Sequence, residues 1–250
     1  MSPGLYHEAS GQGETVVLLH GFGLDRRMWM DQIGPLAKRF RVINVDLRGF
    51  GKSPAVDGPF SHLDDVRRLV GEESVRLVGF SMGGRIAVDF AYAYPRSVAK
   101  LVLVDADVSG WPLKRFGPTM APLFEAGRRG DVALAKRLWL EHDLFAPARR
   151  HPRVAHELRR MIEEYSGWHF ANAGHNLERK PERSAADILD RIAAPTLAMV
   201  GELDLPDFQD IADAVASRVP GAEKFVVPGA GHMSNMENPG ASNRALLEFL

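Results

Sequence analysis

The β-branched and leucine-containing run Val75-Arg76-Leu77-Val78 leads without a break into Gly79-Phe80-Ser81-Met82-Gly83, and Gly84-Arg85-Ile86-Ala87 follows with helical character. No other stretch constrains the chain as much. A strand that ends in G-x-S-x-G and opens a helix must turn sharply at the serine. Side chains at the flanking positions would clash in such a turn, so glycine is needed at both ends. The turn lifts the serine oxygen clear of a sheet and aims it at a helix N-terminus. A bare G-x-S-x-G says little, and the strand before it and the helix after it are what make Ser81 a candidate nucleophile.

The same alternation recurs along the chain. Buried strands are expected at 15–19, 41–45, 75–80, 100–104, 195–200 and 224–227, because continuous apolar runs suit strands covered on both faces. Helices are expected at about 28–38, 63–72, 83–94, 208–218 and 241–250. Strand-helix alternation of this kind predicts an α/β fold, a mostly parallel sheet with helices on both faces. Residues 107–192 break the rhythm. They hold no convincing buried strand, several prolines and three of the four tryptophans, Trp111, Trp139 and Trp168. The expected organisation is a core at 1–106 and 193–250 with a helical cap inserted at 107–192. The three tryptophans are candidate substrate contacts, although aromatics more often pack a core. Arg149-Arg150 and Arg159-Arg160 in the same stretch read as solvated helix faces.

Composition narrows the function. The 31 basic and 32 acidic residues leave a net charge of −1, which gives nucleic acid or an anionic membrane no electrostatic hold. Cysteine is absent, so disulfides, thiolate metal sites and a cysteine nucleophile are excluded. The first residues lack the pattern of a signal peptide, and the apolar runs are too short to cross a bilayer. These features lead us to expect a cytoplasmic monomer or homodimer that acts on a small molecule without metal or cofactor.

Serine needs a base, and the base needs an orienting carboxylate. Behind a turn of this type they follow in the order serine, acid, histidine. His232 lies just past the last expected strand, in Pro228-Gly229-Ala230-Gly231-His232-Met233. Asp204 lies just past the strand before it, and its rivals are Glu202, Asp207 and Asp210. Asp207 opens a helix, where an N-cap role accounts for it. Two backbone amides are also needed to hold an oxyanion. Met82, after the serine, supplies one, and Phe22, in His20-Gly21-Phe22-Gly23, is the candidate for the other.

With these motifs in place the chain resembles the α/β-hydrolase family. Asp46-Leu47-Arg48-Gly49-Phe50-Gly51-Lys52-Ser53 is similar to that family's D-x-R-G-x-G-x-S turn, which usually braces loops around the site. The resemblance runs from about residue 6 to residue 250 and weakens in the insertion. It implies a Ser81-His232-Asp204 triad and a carboxylic ester as substrate. Small carboxylesterases and oxoadipate enol-lactonases are the most similar members, and perhydrolases share the Gly-Phe-Ser-Met-Gly-Gly stretch. Family members that use an aspartate nucleophile are excluded by Ser81. The C–C bond hydrolases commonly carry tryptophan where Met233 stands. Arg85 leaves two readings open: a cap or salt bridge on its own helix, or a hold on a carboxylated substrate. A similar arginine occurs in a pyruvate-eliminating synthase, which is one alternative reaction. A ligand receptor on a hydrolase scaffold is another.

Overall fold

The apolar runs become the centre of a seven-stranded sheet in the computed structural model, which describes residues 4–250. The strands are β1 (His7–Ser10), β2 (Thr15–Leu19), β3 (Arg41–Val45), β4 (Val75–Phe80), β5 (Val98–Val104), β6 (Thr196–Gly201) and β7 (Glu223–Val227). They lie in the order β1-β3-β2-β4-β5-β6-β7. All neighbouring pairs are parallel except β1 with β3. Every residue of β2 and of β6 is buried, as strands covered on both faces require.

Helices α1 (Met30–Ala37), α2 (His62–Val70) and α3 (Met82–Ala93) follow β2, β3 and β4. Helix α1 packs with Pro239–Phe249, whereas α2 packs with α3, so the helices fall into two groups. β2 pairs with β3 on one side and β4 on the other. The connection after β2 runs to β3 and the one after β4 runs to β5, in opposite directions along the sheet, which opens a crevice at the carboxyl ends of β2 and β4.

Two details differ from expectation. β1 has no counterpart among the expected strands, because its sequence His7-Glu8-Ala9-Ser10 is polar and largely exposed. Backbone pairing to β3 at the sheet edge makes it a strand. The helix expected at 28–38 is divided. A 3-10 turn, Arg26–Trp29, comes first, capped by the Asp25 carboxylate on the Arg27 amide, and α1 begins at Met30.

Among the described residues no strand lies between β5 and β6. The helices Phe116–Thr119, Ala121–Arg128, Val132–Glu141, Pro152–Glu164 and Trp168–Ala171 occupy that stretch. Pro152–Glu164 buries Val154, Leu158, Met161 and Ile162, one helical face. Arg159 and Arg160 lie on the other and pair with Glu163 and Glu157, the solvated face expected of them. No described helix is long and apolar enough to cross a membrane.

Candidate active site

Ser81 sits where β4 meets α3 with φ 51° and ψ −116°, a conformation side chains rarely adopt. Strain of this kind costs about 1–3 kcal/mol and persists only where the surroundings enforce it. Here the Ser81 amide donates to the Val104 carbonyl at 3.0 Å, and the Ser81 carbonyl accepts from the Asp107 amide at 3.1 Å. The flanking glycines are obligatory for a measurable reason. A Cβ on Gly79 would lie 2.3 Å from the Gly83 carbonyl oxygen, and one on Gly83 would lie 2.4 Å from the Leu19 oxygen.

His232 comes to this serine from the loop after β7. Its Nε2 is 3.1 Å from Ser81 Oγ, and its Nδ1 is 2.9 Å from Asp204 Oδ2. The loop is held on both sides of the histidine by one carboxylate. Glu237 accepts from the Gly231 amide at 2.8 Å and the Met233 amide at 3.1 Å. Phe80 and Phe208 pack on the imidazole, with ring centroids 5.1 and 4.3 Å away. Burial therefore pushes the imidazole down, to about 4, leaving a neutral base at neutral pH. Burial pushes the Asp204 carboxyl up as well.

Two rivals of Asp204 have other partners, and the third, Asp210, is exposed. Glu202 accepts from the Gly229 amide at 2.7 Å. Asp207 is not the N-cap expected of it, since Leu205 occupies that position and offers no side-chain bond. Its carboxylate instead accepts from the amides of Arg115 and Phe116, at 2.8 and 2.7 Å, fastening the insertion to the body.

Phe22 and Met82 both stand beside the serine. Met82 is the first residue of α3, so its N–H is one of those a helix leaves without an internal partner. Phe22 is the first central residue of a turn closed by Leu24 N–H to Gly21 O at 3.3 Å, with Gly23 at φ 71°. That closure does not use the Phe22 amide. Gly21 keeps the loop close to the serine, since a Cβ there would meet the Phe80 ring at 2.7 Å.

Ser81, Met82 and Phe22 line a cavity of about 1010 Å³, together with Arg85, Trp111, Trp139 and Trp168. Trp139 is buried and the other two tryptophans are half-buried. Arg85 is engaged: its Nη2 bonds both oxygens of Glu178, at 2.8 and 3.1 Å. Its Nη1 stands 3.9 Å from Asp89, one turn along α3. The expected salt bridge thus exists, but its main partner comes from the distant segment before β6. Asp46 and Arg48 brace loops: Asp46 accepts from the Arg26 and Lys52 amides, and Arg48 grips Asp65 at 2.7 and 2.8 Å.

Asp105 is the residue that sequence reasoning misses. It follows β5 at φ 46°, fully buried, and accepts from the Gly201 amide at 2.8 Å. It also accepts from the Ser234 hydroxyl at 2.5 Å, binding the His232 loop to the end of β6. Burial and the nearby Asp204 charge push its carboxyl well up. An aspartate directly after a buried strand is the only signal the sequence offers.

The fold agrees with the comparisons. The Alpha/beta hydrolase family matches residues 16–245, and the chain belongs to that family. A 2-hydroxy-6-oxo-6-phenylhexa-2,4-dienoate hydrolase of Burkholderia cepacia is 30% identical, covering 96% of this chain and 89% of that one. A pimeloyl-[acyl-carrier protein] methyl ester esterase of Edwardsiella ictaluri is 28% identical, covering 100% and 98%. The solved structure of a thermophilic esterase from Thermogutta terrifontis superposes with a TM-score of 0.82, 31% identity and coverage of 98% and 92%.

Proposed function

We propose that the chain is a carboxylic ester hydrolase in which Ser81, His232 and Asp204 form the catalytic triad. The observation that carries this reading is the continuous relay from Ser81 Oγ through His232 to Asp204, with gaps of 3.1 and 2.9 Å. Ser81 attacks the acyl carbonyl as His232 Nε2 takes its proton. Asp204 steadies the imidazolium from the Nδ1 side. The amides of Phe22 and Met82 receive the oxyanion, and each such donor is worth about 2.7–4 kcal/mol. His232 then protonates the leaving alcohol, and water that it activates releases the acid.

Residues 107–192 act in this reading as a cap that limits what reaches Ser81, with Trp111, Trp139 and Trp168 on its inner side. The substrate is a small-molecule ester, and the cytoplasm is the expected compartment. The relatives named as esterases support the reaction class. The C–C bond hydrolase relative does not extend its reaction here, because buried Met233 stands where such enzymes commonly carry tryptophan. Engagement of Arg85 by Glu178 weighs against the pyruvate-eliminating alternative, which asks that arginine for a substrate carboxylate. The test is hydrolysis of p-nitrophenyl butyrate by wild type, Ser81→Ala and His232→Ala. The reading expects turnover in the first alone; equal rates in all three would overturn it.

A further inference from the structure

The tripeptide Gly21-Phe22-Gly23 carries the second oxyanion amide of the reading above, and it has only one side chain with which to hold its place. Glycine restrains a backbone least, so the flanking glycines leave the direction of the Phe22 N–H to outside contacts. The planar peptide between Gly21 and Phe22 points its C=O and its N–H in opposite directions, so fixing both of its ends aims the amide. His20 secures the first end. Its Nε2 accepts from the Leu47 amide at 2.9 Å, which leaves the proton on Nδ1 to donate to the Gly21 carbonyl at 2.8 Å. Burial pushes this imidazole down, so it stays neutral and keeps that arrangement at neutral pH.

The second end is the Phe22 Cα, and the ring it bears is held from several sides. Phe50 meets it at 6.1 Å between centroids, and the other rings around it come from the insertion. Phe124, Trp139, Tyr165, His169 and Phe170 stand 6.3, 5.8, 6.5, 5.9 and 5.4 Å away. All meet the Phe22 ring edge to face, at interplanar angles between 67° and 81°, an arrangement that aromatic pairs favour. Moving the ring from its rotamer would break several of these pairs at once. The insertion also packs on the loop backbone, since a Cβ on Gly23 would come within 2.6 Å of Trp139 Nε1.

The socket belongs to no single helix. Phe124 lies in Ala121–Arg128, Trp139 in Val132–Glu141, and His169 and Phe170 in Trp168–Ala171, while Tyr165 ends Pro152–Glu164. It exists only when these helices are packed together. Phe50 keeps it against the body, stacking on His169 at 4.3 Å and on Tyr165 at 5.1 Å. Phe170 is fully buried, and neither it nor Tyr165 lines the cavity that holds Ser81. An effect of either on the reaction must pass through another residue, and the Phe22 ring is the one in contact with both.

We propose that this socket positions the oxyanion donor: the insertion holds the Phe22 amide in place through the Phe22 ring, which couples seating of the insertion to catalysis itself as well as to substrate entry. Tyr165 and Phe170 are then positioning residues that do not meet substrate. The socket rests on the hydrolase reading above, with Phe22 as an oxyanion donor.

Phe22→Leu, Phe170→Leu and the double variant test it, with p-nitrophenyl butyrate as substrate and n-butylboronic acid as probe. The boronate adduct on Ser81 presents an oxygen where the oxyanion would form, so its affinity reads the oxyanion donors. In each single variant kcat should fall by about tenfold or more, with KM within about twofold of wild type, as for a misplaced catalytic group. Boronate affinity should fall by a similar factor to kcat/KM. Phe170→Leu added to Phe22→Leu should cost little more, because the ring through which Phe170 acts is already gone. Phe22→Tyr, which keeps a ring, should retain most of the wild-type kcat. Phe22→Leu leaves every residue of the insertion in place, so it decides the matter alone if Phe170→Leu does not fold. Unchanged kcat and boronate affinity in Phe22→Leu, a raised KM alone in Phe170→Leu, or fully additive losses in the double variant would overturn the socket while leaving the hydrolase intact. Absence of Ser81-dependent turnover in the wild type would overturn the hydrolase reading and the socket with it.

Discussion

Asp105 and Ser234 are joined by two hydrogen bonds, hydroxyl to carboxylate at 2.5 Å and amide to carboxylate at 3.2 Å, although 129 residues separate them. Ser234 is two residues past His232, so this contact ties the base to the strand beside the nucleophile. Removing the carboxylate would orphan the Gly201 and Ser234 amides at about 1–3 kcal/mol each. Asparagine keeps one acceptor and tolerates positive φ, whereas alanine does neither. Chemical denaturation should therefore rank wild type above Asp105→Asn and that above Asp105→Ala, the last by about 3 kcal/mol or more from wild type. Equal stability of the two variants would remove both arguments.

The elbow makes a sharper contrast among glycines. Gly79→Ala should abolish activity and soluble folding, because its Cβ would meet the Gly83 backbone at 2.3 Å and neither side can yield. Gly34 lies inside α1, where an added Cβ would have nothing within 4 Å. Gly34→Ala should instead raise stability by roughly 0.5–1 kcal/mol, read as an upward shift in Tm.

These contrasts mark what a sequence can and cannot reveal. The motif at Ser81, the runs that form β2, β3 and β4, and the order of Asp204 and His232 are legible because they rest on local pattern and chain order. Asp105 and Glu237 are not, since what they hold lies across the fold. Asp207 misleads for the same reason: a first-turn aspartate suggests a cap, and only tertiary structure brings the Arg115 and Phe116 amides to it. Arg85 announces an ion pair but not that Glu178 provides it. β1 has no apolar signal at all.

Asp207 should also matter to substrate entry. In Asp207→Ala the Arg115 and Phe116 amides lose their acceptor, and the start of the insertion loosens over the cavity. KM should rise for p-nitrophenyl butyrate with kcat little changed, alongside a stability loss of about 1–3 kcal/mol. A fall in kcat at constant KM would instead point to disturbance of neighbouring Phe208 and His232.

Acid should act through the buried histidines. His232 and His169 are each held down to about 4, against 6.5 for an unperturbed imidazole. Below pH 6.5 the unfolded chain takes up protons that the folded chain refuses. Their stabilising contribution is complete above that value and is lost as pH falls through about 4. The slope of unfolding free energy against pH in this window should be shallower in His169→Phe. Turnover should share the limit, with kcat/KM level near neutrality and falling about tenfold per unit at pH below the His232 value. A midpoint near 6.5 would mean that burial does not hold His232 neutral.

The most direct measurement is the mass of the protein quenched during turnover of p-nitrophenyl butyrate. The relay from Ser81 to His232 to Asp204 predicts one added butyryl group, on the peptide containing Ser81, and none in Ser81→Ala. Rapid turnover with no acyl group on Ser81 under any quench, or the same adduct in Ser81→Ala, would contradict it.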